Sequence, residues 1–234
     1  MDDDVRAAID ASSLCALDDA RLGELLVGAV RRSVPAGTVL RGEGDRGAHL
    51  ELVVGGFVRI FVGAPDGRTL TIRYVRPGNL MGAVSLFRPE YRIPGSLQAL
   101  VDADLLVLRT DVAAALCARD AAVAGAFLDE LSARIVDFVA ELPRGAFASV
   151  RQRAAHHLLE VASQEQHDAR LVAPVSQQQL AEAVGSVREV VVRVLRELRA
   201  DGLIRTGARR IEIMDPERLW LESVADGRAW NPGS

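Results

Sequence analysis

The stretch Ser176–Leu195 reads SQQQLAEAVGSVREVVVRVL and has the pattern of two short helices joined at a glycine. Ser176 and Gln179 fit a capping box, in which each side chain satisfies a free backbone N–H at the start of a helix. Ser186 and Glu189 fit a second capping box directly after the glycine. Glycine tolerates the left-handed backbone conformation that ends a helix and turns the chain. The stretch therefore predicts a helix-turn-helix.

The residues inside this stretch support the same prediction. Apolar side chains recur where the two helices must pack on each other, and a small alanine lies where they cross closely. These residues are Leu180, Ala181, Val184, Val191 and Val194. Each signal alone is weak, but their joint spacing is typical of the motif.

Three charged residues open the second helix and indicate DNA reading. Glu189 and Arg193 lie one turn apart and share a face, with Arg188 beside them. Arginine matches the two guanine acceptors in the major groove, and a carboxylate accepts from the cytosine amino group. The alternative is an Arg–Glu surface pair, which stabilises an exposed helix by a few tenths of a kcal/mol. At the start of a recognition helix, we favour base reading.

Basic residues continue past this point. The segment Ser186–Arg210 holds seven arginines against three acidic residues, although the whole chain has a formal net charge of −4. A solvated helix face is the alternative interpretation of such charge. The helix is predicted to end near Ala200, and a hairpin is predicted over Ile204–Met214. Phosphate contacts are expected from the start of the first helix and from the hairpin, through Ser176, Gln177, Gln178, Arg205, Arg209 and Arg210.

Upstream, residues 34–108 show a different pattern. Short apolar or alternating runs of strand length are separated by clusters of Gly, Pro and Asp, such as Gly55-Gly56 and Pro77-Gly78. That punctuation is typical of a small all-β roll or barrel. Before it, residues 16–32 carry leucines at helical spacing and predict a helix.

A heptad series between Ala121 and Leu142 predicts a long helix with a narrow apolar seam. Such a seam suits pairing with a second copy of the chain, and a helix that lies on its own domain is the alternative. Pro143 is expected to end the helix and to mark a domain boundary. The expected dimer contacts are Leu128, Leu131, Ile135, Phe138 and Leu142.

The composition excludes several classes of protein. With 234 residues, 49% hydrophobic and 26% charged, the chain can bury an ordinary core, which argues against disorder. No apolar run approaches the ~20 residues of a membrane span, and the acidic start is unlike a secretory signal, so a cytoplasmic protein without membrane association is expected. The two cysteines exclude a disulfide scaffold and a four-cysteine iron–sulfur cluster. Walker, elbow-serine and HExxH motifs are absent, so neither catalysis nor a metal site is expected.

Taken together, these features resemble the Crp/Fnr family of bacterial transcription regulators (cyclic-AMP receptor protein and fumarate-nitrate regulator). The resemblance rests on Gln178–Leu195 and on a glycine frame in the first half, namely Gly42, Gly56, Gly67, Gly78 and Gly82 followed by Leu86-Phe87. It implies an α+β chain with a β-roll sensor domain of cyclic-nucleotide-binding type (residues 1–115), a dimerisation helix (116–143) and a winged helix-turn-helix (144–234).

The resemblance also implies partners and a target. It implies a homodimer that reads an inverted repeat in double-stranded DNA and works with RNA polymerase. Arg188, Glu189 and Arg193 fall on the positions that read TGTGA half-sites in cyclic-AMP-receptor-like members. Val192 stands where the fumarate-nitrate subgroup carries a serine, which favours a TGTGA-like palindromic operator.

The phosphate-binding segment departs from the family pattern. Members that bind cyclic nucleotides carry a Gly-Glu pair and, further on, an Arg-Ser or Arg-Thr pair. This chain has Gly82-Ala83 and Ile93-Pro94 instead, so both charged partners are missing. DNA binding is therefore expected without cyclic AMP. Arg88 and Arg92 are the nearby residues that could replace the missing cation from a shifted position.

Three alternatives stay open for the effector or for the mode of action, because the sequence names no effector. Haem binding would use His49, the histidine nearest the expected pocket, since His156 and His157 belong to the DNA domain. Redox sensing would use Cys117, for which a buried apolar role is the competing interpretation. A cyclic-nucleotide-type adaptor that acts through protein contacts alone is the third, and the helix-turn-helix argues against it.

Overall fold

The computed structural model describes residues 2–45, 50–63, 69–88, 90–141, 148–164, 170–207 and 209–224. These divide into an N-terminal unit, Met1–Leu142, and a C-terminal unit, Pro143–Ser234. The long helix that the heptad series predicts belongs to the N-terminal unit and spans Ala121–Glu141.

Two short helices precede the first strand. Helix α1 (Asp3–Asp10) buries its apolar face, and the acidic side chains in its first turn complement the positive end of the helix dipole. Helix α2 (Asp19–Leu25) is capped by Asp18, whose carboxylate accepts from the Arg21 N–H at 2.8 Å. Helix α1 was not predicted from the sequence pattern.

The helix expected over residues 16–32 is shorter than the leucine spacing suggests. Helix α2 stops at Leu25, and Val30–Val34 forms the first strand, β1. Gly28 lies between them with a φ of +73°, and a Cβ there would come within 2.8 Å of the Arg109 side chain. The helical prediction is wrong beyond Leu25 because a glycine turn, packed against a distant arginine, redirects the chain.

The described strands of this unit form two four-stranded antiparallel sheets, which confirms the predicted β-roll. Their bounds are β1 (Val30–Val34), β2 (Val39–Arg41), β3 (Leu50–Gly55), β4 (Val58–Gly63), β5 (Thr69–Val75), β6 (Leu80–Met81), β7 (Ser96–Ala99) and β8 (Ala103–Leu108). The order of the first sheet is β1-β8-β3-β6, and the order of the second is β2-β7-β4-β5.

Strand β3 separates two cores because successive side chains point to opposite faces. Leu50, Leu52 and Val54 pack into a cluster with the buried apolar side chains of the helices. Val53 packs into a second cluster made of residues from both sheets. Glu51 shares the face of Val53, so the strand period places a carboxylate inside the roll.

Two helices follow the roll, α3 (Thr110–Arg119) and α4 (Ala121–Glu141). The first half of α4 buries Val123 and Phe127 in the helical core. None of the helices in the described ranges combines the length and the hydropathy that crossing a bilayer requires.

The C-terminal unit is a winged helix-turn-helix, as predicted. Its elements are α5 (Val150–Gln164), β9 (Val172–Ala173), α6 (Gln177–Ala183), α7 (Arg188–Ala200), β10 (Ile204–Thr206), β11 (Ile211–Ile213) and α8 (Pro216–Val224). The three strands form an antiparallel sheet in the order β10-β11-β9. The hairpin of β10 and β11 follows from the sequence pattern, whereas β9 and α8 were not predicted.

Candidate DNA-binding surface and effector cavity

The start of α6 has the predicted capping box. The Ser176 hydroxyl accepts from the Gln179 N–H at 3.2 Å, and the Gln179 side-chain oxygen accepts from the Ser176 N–H at 3.0 Å. Gly185 then turns the chain with a φ of +61°, and no neighbouring atom lies within 4 Å of where its Cβ would be. The turn therefore needs glycine for its backbone conformation and not for space.

The second predicted capping box is wrong. Helix α7 starts at Arg188, its N-cap is Val187, and no side chain caps it. The Ser186 N–H donates to the Ala181 carbonyl at 2.9 Å, which closes the end of α6. Ser186 is therefore used to finish the first helix rather than to begin the second.

The residues predicted to read bases lie together on the solvent side of α7. Arg188, Glu189 and Arg193 are all exposed, and within the described part of the chain none of their side chains forms a hydrogen bond or an ion pair. Arg196, one turn beyond Arg193, is exposed on the same face and was missed, although the helical period alone places it there. The opposite face is buried through Val191, Val194, Leu195 and Leu198.

Some of the residues predicted to contact phosphate already form hydrogen bonds or ion pairs within the protein, and others do not. The Gln178 amide donates to Glu182 at 2.8 Å, and Arg205 pairs with Glu212 at 3.2 Å. Arg209 and Arg210 are exposed on the wing and have no ion pair among the described residues. The two wing arginines are thus the most available for phosphate.

Arg151 holds the recognition helix in place from behind. Its guanidinium, on α5, contacts three carboxylates: Glu222 at 2.8 Å, Asp201 at 2.7 Å and Glu197 at 3.5 Å. Glu197 belongs to α7, Asp201 follows that helix directly, and Glu222 belongs to α8. The hydrogen bond that Arg151 donates to Glu222, and then the one that it donates to Asp201, hold the pKa of Arg151 above its usual range. One side chain therefore joins three helices of the domain.

Replacing Arg151 by methionine is expected to lower the free energy of unfolding of the protein's DNA-binding unit by roughly 1–3 kcal/mol, because the three carboxylates then lose their donor and repel one another. Urea unfolding monitored by circular dichroism measures the change. Arg218→Met is the matched control, since Arg218 is 61% exposed and its guanidinium pairs, among the residues that the structure describes, only with Asp215, at 3.9 Å. Equal effects of the two substitutions would contradict the assigned role.

The predicted dimer seam on α4 is largely exposed in the single chain. Leu128, Ile135 and Phe138 are 62%, 65% and 56% exposed, and Val139 extends the same apolar stripe. Leu131 differs, because it is only partly exposed and packs against the helical core of its own unit. Leu142 lies outside the described residues. Most of the predicted seam is therefore free to meet a partner.

A cavity of about 300 Å³ lies between the two sheets and α4. It is lined by all four residues that stand where the family has its phosphate-binding pairs, namely Gly82, Ala83, Ile93 and Pro94. Gly82 has a φ of +84° and leads into a short 3-10 helix, Ala83–Leu86. The structure thus brings together two segments that are separate in sequence. The remaining lining is mostly apolar: Ile60, Ile72, Leu80, Met81, Val84, Tyr91, Leu97 and Leu131.

The cations of the cavity are not those that the sequence analysis offered. Arg88 and Arg92 are exposed and are not part of the lining, and Arg92 donates to the Gly44 carbonyl at 3.2 Å. The lining instead contains three arginines from β2, β5 and α4, together with the acidic Glu51 and Glu130. These arginines are Arg41, Arg73 and Arg134. Strand pairing and the packing of α4 bring these arginines together. No local sequence motif predicts that they share a cavity.

Both acidic residues of the lining are buried against an arginine. Arg41 pairs with Glu51 at 3.0 Å, and the Glu51 side chain is 2% exposed. Arg134 pairs with Glu130 at 2.8 Å, and the Glu130 side chain is 5% exposed. A buried carboxylate needs such a partner, because an unpaired buried charge costs several kcal/mol.

The residues considered for haem and redox sensing occupy different places. His49 lies outside the described residues, while His156 is exposed and His157 half-buried on α5. Burial, and then the neighbouring His156, lowers the pKa of His157. Cys117 is partly buried, and burial raises the pKa of its thiol, which disfavours the reactive thiolate.

Comparison with known proteins agrees with this arrangement. Residues 31–120 match the cyclic nucleotide-binding domain, and residues 152–221 match the Crp-like helix-turn-helix domain. A β-roll of this type joined to a winged helix-turn-helix defines a DNA-binding transcription regulator. The chain belongs to the Crp/Fnr family, as the resemblance in its sequence predicted.

Several members resemble it over most of their length. The cyclic AMP receptor protein of Thermus thermophilus is 33% identical over 202 residues, which cover 85% of this chain and 89% of that protein. The CRP-like cAMP-activated global transcriptional regulator of Mycobacterium tuberculosis is 28% identical over 189 residues, covering 79% and 84%. The solved structure of the c-di-GMP responsive regulator CLP of Xanthomonas campestris has a TM-score of 0.53 at 26% identity, covering 84% of this chain and 99% of that one.

Proposed function

We propose that the protein is a homodimeric transcription regulator that binds an inverted-repeat, TGTGA-like operator and does so without cyclic AMP. The start of α7 carries the proposal. Arg188, Glu189 and Arg193 are exposed there without a partner in the described protein. Glu189 and Arg193 have the spacing of a helix-stabilising pair but do not form one, so both remain available for base edges.

The apolar stripe on α4 supports the dimer. A helix-turn-helix dimer presents two recognition helices to half-sites one turn of DNA apart, so its symmetry matches an inverted repeat. Leu128, Ile135 and Phe138 would otherwise remain in water on a single chain. RNA polymerase is the further partner that we propose for this regulator.

Independence from cyclic AMP is supported by the lining of the cavity. A cyclic phosphate carries a negative charge, which a buried site must compensate with a cation or several donors. Ala83, Ile93 and Pro94 provide neither at the segment where family members hold it. Of the three arginines in the lining, Arg41 and Arg134 already neutralise the buried Glu51 and Glu130, and Arg73 has an interaction of its own within the protein. Relatives named for cyclic AMP are therefore an incomplete guide to the effector of this chain.

Operator binding is expected to be the same with and without nucleotide. Fluorescence anisotropy on a TGTGA inverted-repeat duplex, with a scrambled duplex as control, measures the Kd. Saturating cyclic AMP, cyclic GMP or c-di-GMP is expected to change that Kd by less than about threefold. Tightening of tenfold or more by any of them would contradict nucleotide-independent binding, and equal affinity for the two duplexes would contradict sequence-specific recognition.

A further inference from the structure

Val187 is an apolar residue at the start of the recognition helix α7, at a position that usually holds a polar one. It is the N-cap of α7, with an extended backbone (φ of −96°, ψ of 153°), and its carbonyl accepts a hydrogen bond from the Val191 N–H at 3.2 Å. Serine, threonine, asparagine and aspartate are preferred at an N-cap because their side-chain oxygen accepts from the first free N–H groups of the helix. Valine has no such oxygen, so its side chain does not stabilise this helix end.

The side chain of Val187 does not contribute to the core of the C-terminal unit either. It is 59% exposed, whereas Val191 and Leu198, on the inner face of α7, are fully buried. Among the described residues of this unit, the exposed large apolar side chains are Val187, Met214 and Leu221, and of these only Val187 belongs to the helix-turn-helix. Neither helix capping nor core packing therefore explains a valine here.

Val187 borders the charged surface that the proposed function places on DNA. Arg188 follows it directly, and the exposed face of α7 continues with Glu189, Arg193 and Arg196. Base edges in the major groove present hydrogen-bond donors and acceptors, which a valine side chain cannot pair with. They also present one apolar group, the C5 methyl of thymine. Among the base edges, an apolar side chain at this position is therefore matched to thymine.

We propose that Val187 reads the C5 methyl group of one thymine in each half-site of the operator. This inference rests on the proposed function, because it needs the start of α7 to lie in the major groove. Consecutive Cα atoms are about 3.8 Å apart and stacked base pairs about 3.4 Å, so this thymine belongs to the base pair next to the one that Arg188 reads. Each guanine of TGTGA has a T·A pair as a neighbour, so the proposed half-site offers such a thymine.

Deoxyuridine tests the methyl group alone, because it differs from thymidine only by the loss of that group and still pairs with adenine. Operator duplexes carry uracil in place of one thymine at a time, at the same position of both half-sites, and fluorescence anisotropy measures the Kd of the full-length protein. Loss of the contacted methyl is expected to weaken binding by about fourfold per half-site, or roughly 15-fold for the two together. The sensitive thymine is expected next to the base pair whose preference Arg188→Ala relaxes.

Three variants connect this effect to Val187. In Val187→Ser, the operators with thymine and with uracil are expected to bind with Kd values within about twofold of each other. The serine also supplies the missing cap, so Tm is expected to rise rather than fall, and the lost preference cannot then come from lost folding. Val187→Ile keeps an apolar side chain and is expected to keep the preference for thymine. Val39→Ser is the matched control, because Val39 is 54% exposed on β2, in the other unit, and its loss should leave that preference unchanged.

Three results would overturn the inference. These are uracil substitutions that all weaken operator binding by less than about twofold, a Val187→Ser variant that keeps the full preference for thymine, and a lower Tm of that variant, which would assign Val187 to the fold. Binding to a scrambled duplex is measured on the same samples. Intact preference for the operator without a uracil effect rejects only the role of Val187, whereas equal affinity for operator and scrambled duplex rejects the proposed function itself.

Discussion

Replacing Ile135 and Phe138 together by aspartate is expected to convert the protein to monomers and to weaken operator binding by roughly 100-fold or more. The two side chains are 65% and 56% exposed on one stripe of α4, so the single chain does not need them for its own core. In a dimer they would be buried, and a carboxylate buried without a partner costs several kcal/mol. Loss of the dimer removes the second recognition helix and with it the gain from binding two linked half-sites.

The choice of residues matters for this experiment. Leu131 was also expected in the seam, but it packs against the core of its own unit and lines the cavity, so a charge there would disturb more than the dimer. Val27→Asp with Val30→Asp is the matched control, because both valines are exposed elsewhere on the unit, at 58% and 62%. Analytical ultracentrifugation gives the mass, and anisotropy gives operator affinity. A double variant of Ile135 and Phe138 that still sediments as a dimer would place the interface elsewhere.

Replacing Arg188 by alanine is expected to cost about 1–3 kcal/mol on the TGTGA operator and almost nothing on random DNA. An arginine that forms two hydrogen bonds to guanine is sequence-specific, so its loss should relax the preference at one base pair only. Glu189→Ala should relax a different base pair in the same way. Competition binding on a set of operators with single base changes locates each preference.

Arg209→Ala is the control for this prediction because Arg209 lies on the wing and is expected to meet phosphate. Its loss should weaken all sequences alike and reduce the dependence of log Kd on log salt by about one unit of slope. If Arg188→Ala weakened operator and random DNA equally, Arg188 would be a phosphate contact as well, and the base-reading assignment would be wrong.

The DNA-binding half could be predicted largely from sequence because its determinants are local. The capping box of Ser176 and Gln179 acts within one turn of helix, and Gly185 is needed for a backbone angle rather than for a neighbour. The helical period places Glu189 and Arg193 on one face, with Arg188 beside them. The exception is Ser186. Its spacing fits an N-cap of α7, but its N–H closes the end of α6 instead, because the same residue lies within both local patterns.

The sequence by itself thus determined the helix-turn-helix, the β-roll and the apolar stripe of α4, since each follows from the residue period and from turn residues. Only the tertiary structure decided where α2 ends, because Gly28 turns the chain against the distant Arg109. It alone decided that Leu131 faces the chain's own core. It also decided the charge of the cavity, because Arg41, Glu51 and Arg134 come from two strands and a helix. Contacts between residues far apart in the chain produce no periodic pattern in the sequence. The lining of a cavity that depends on such contacts can therefore be identified only from the packed sheets and α4.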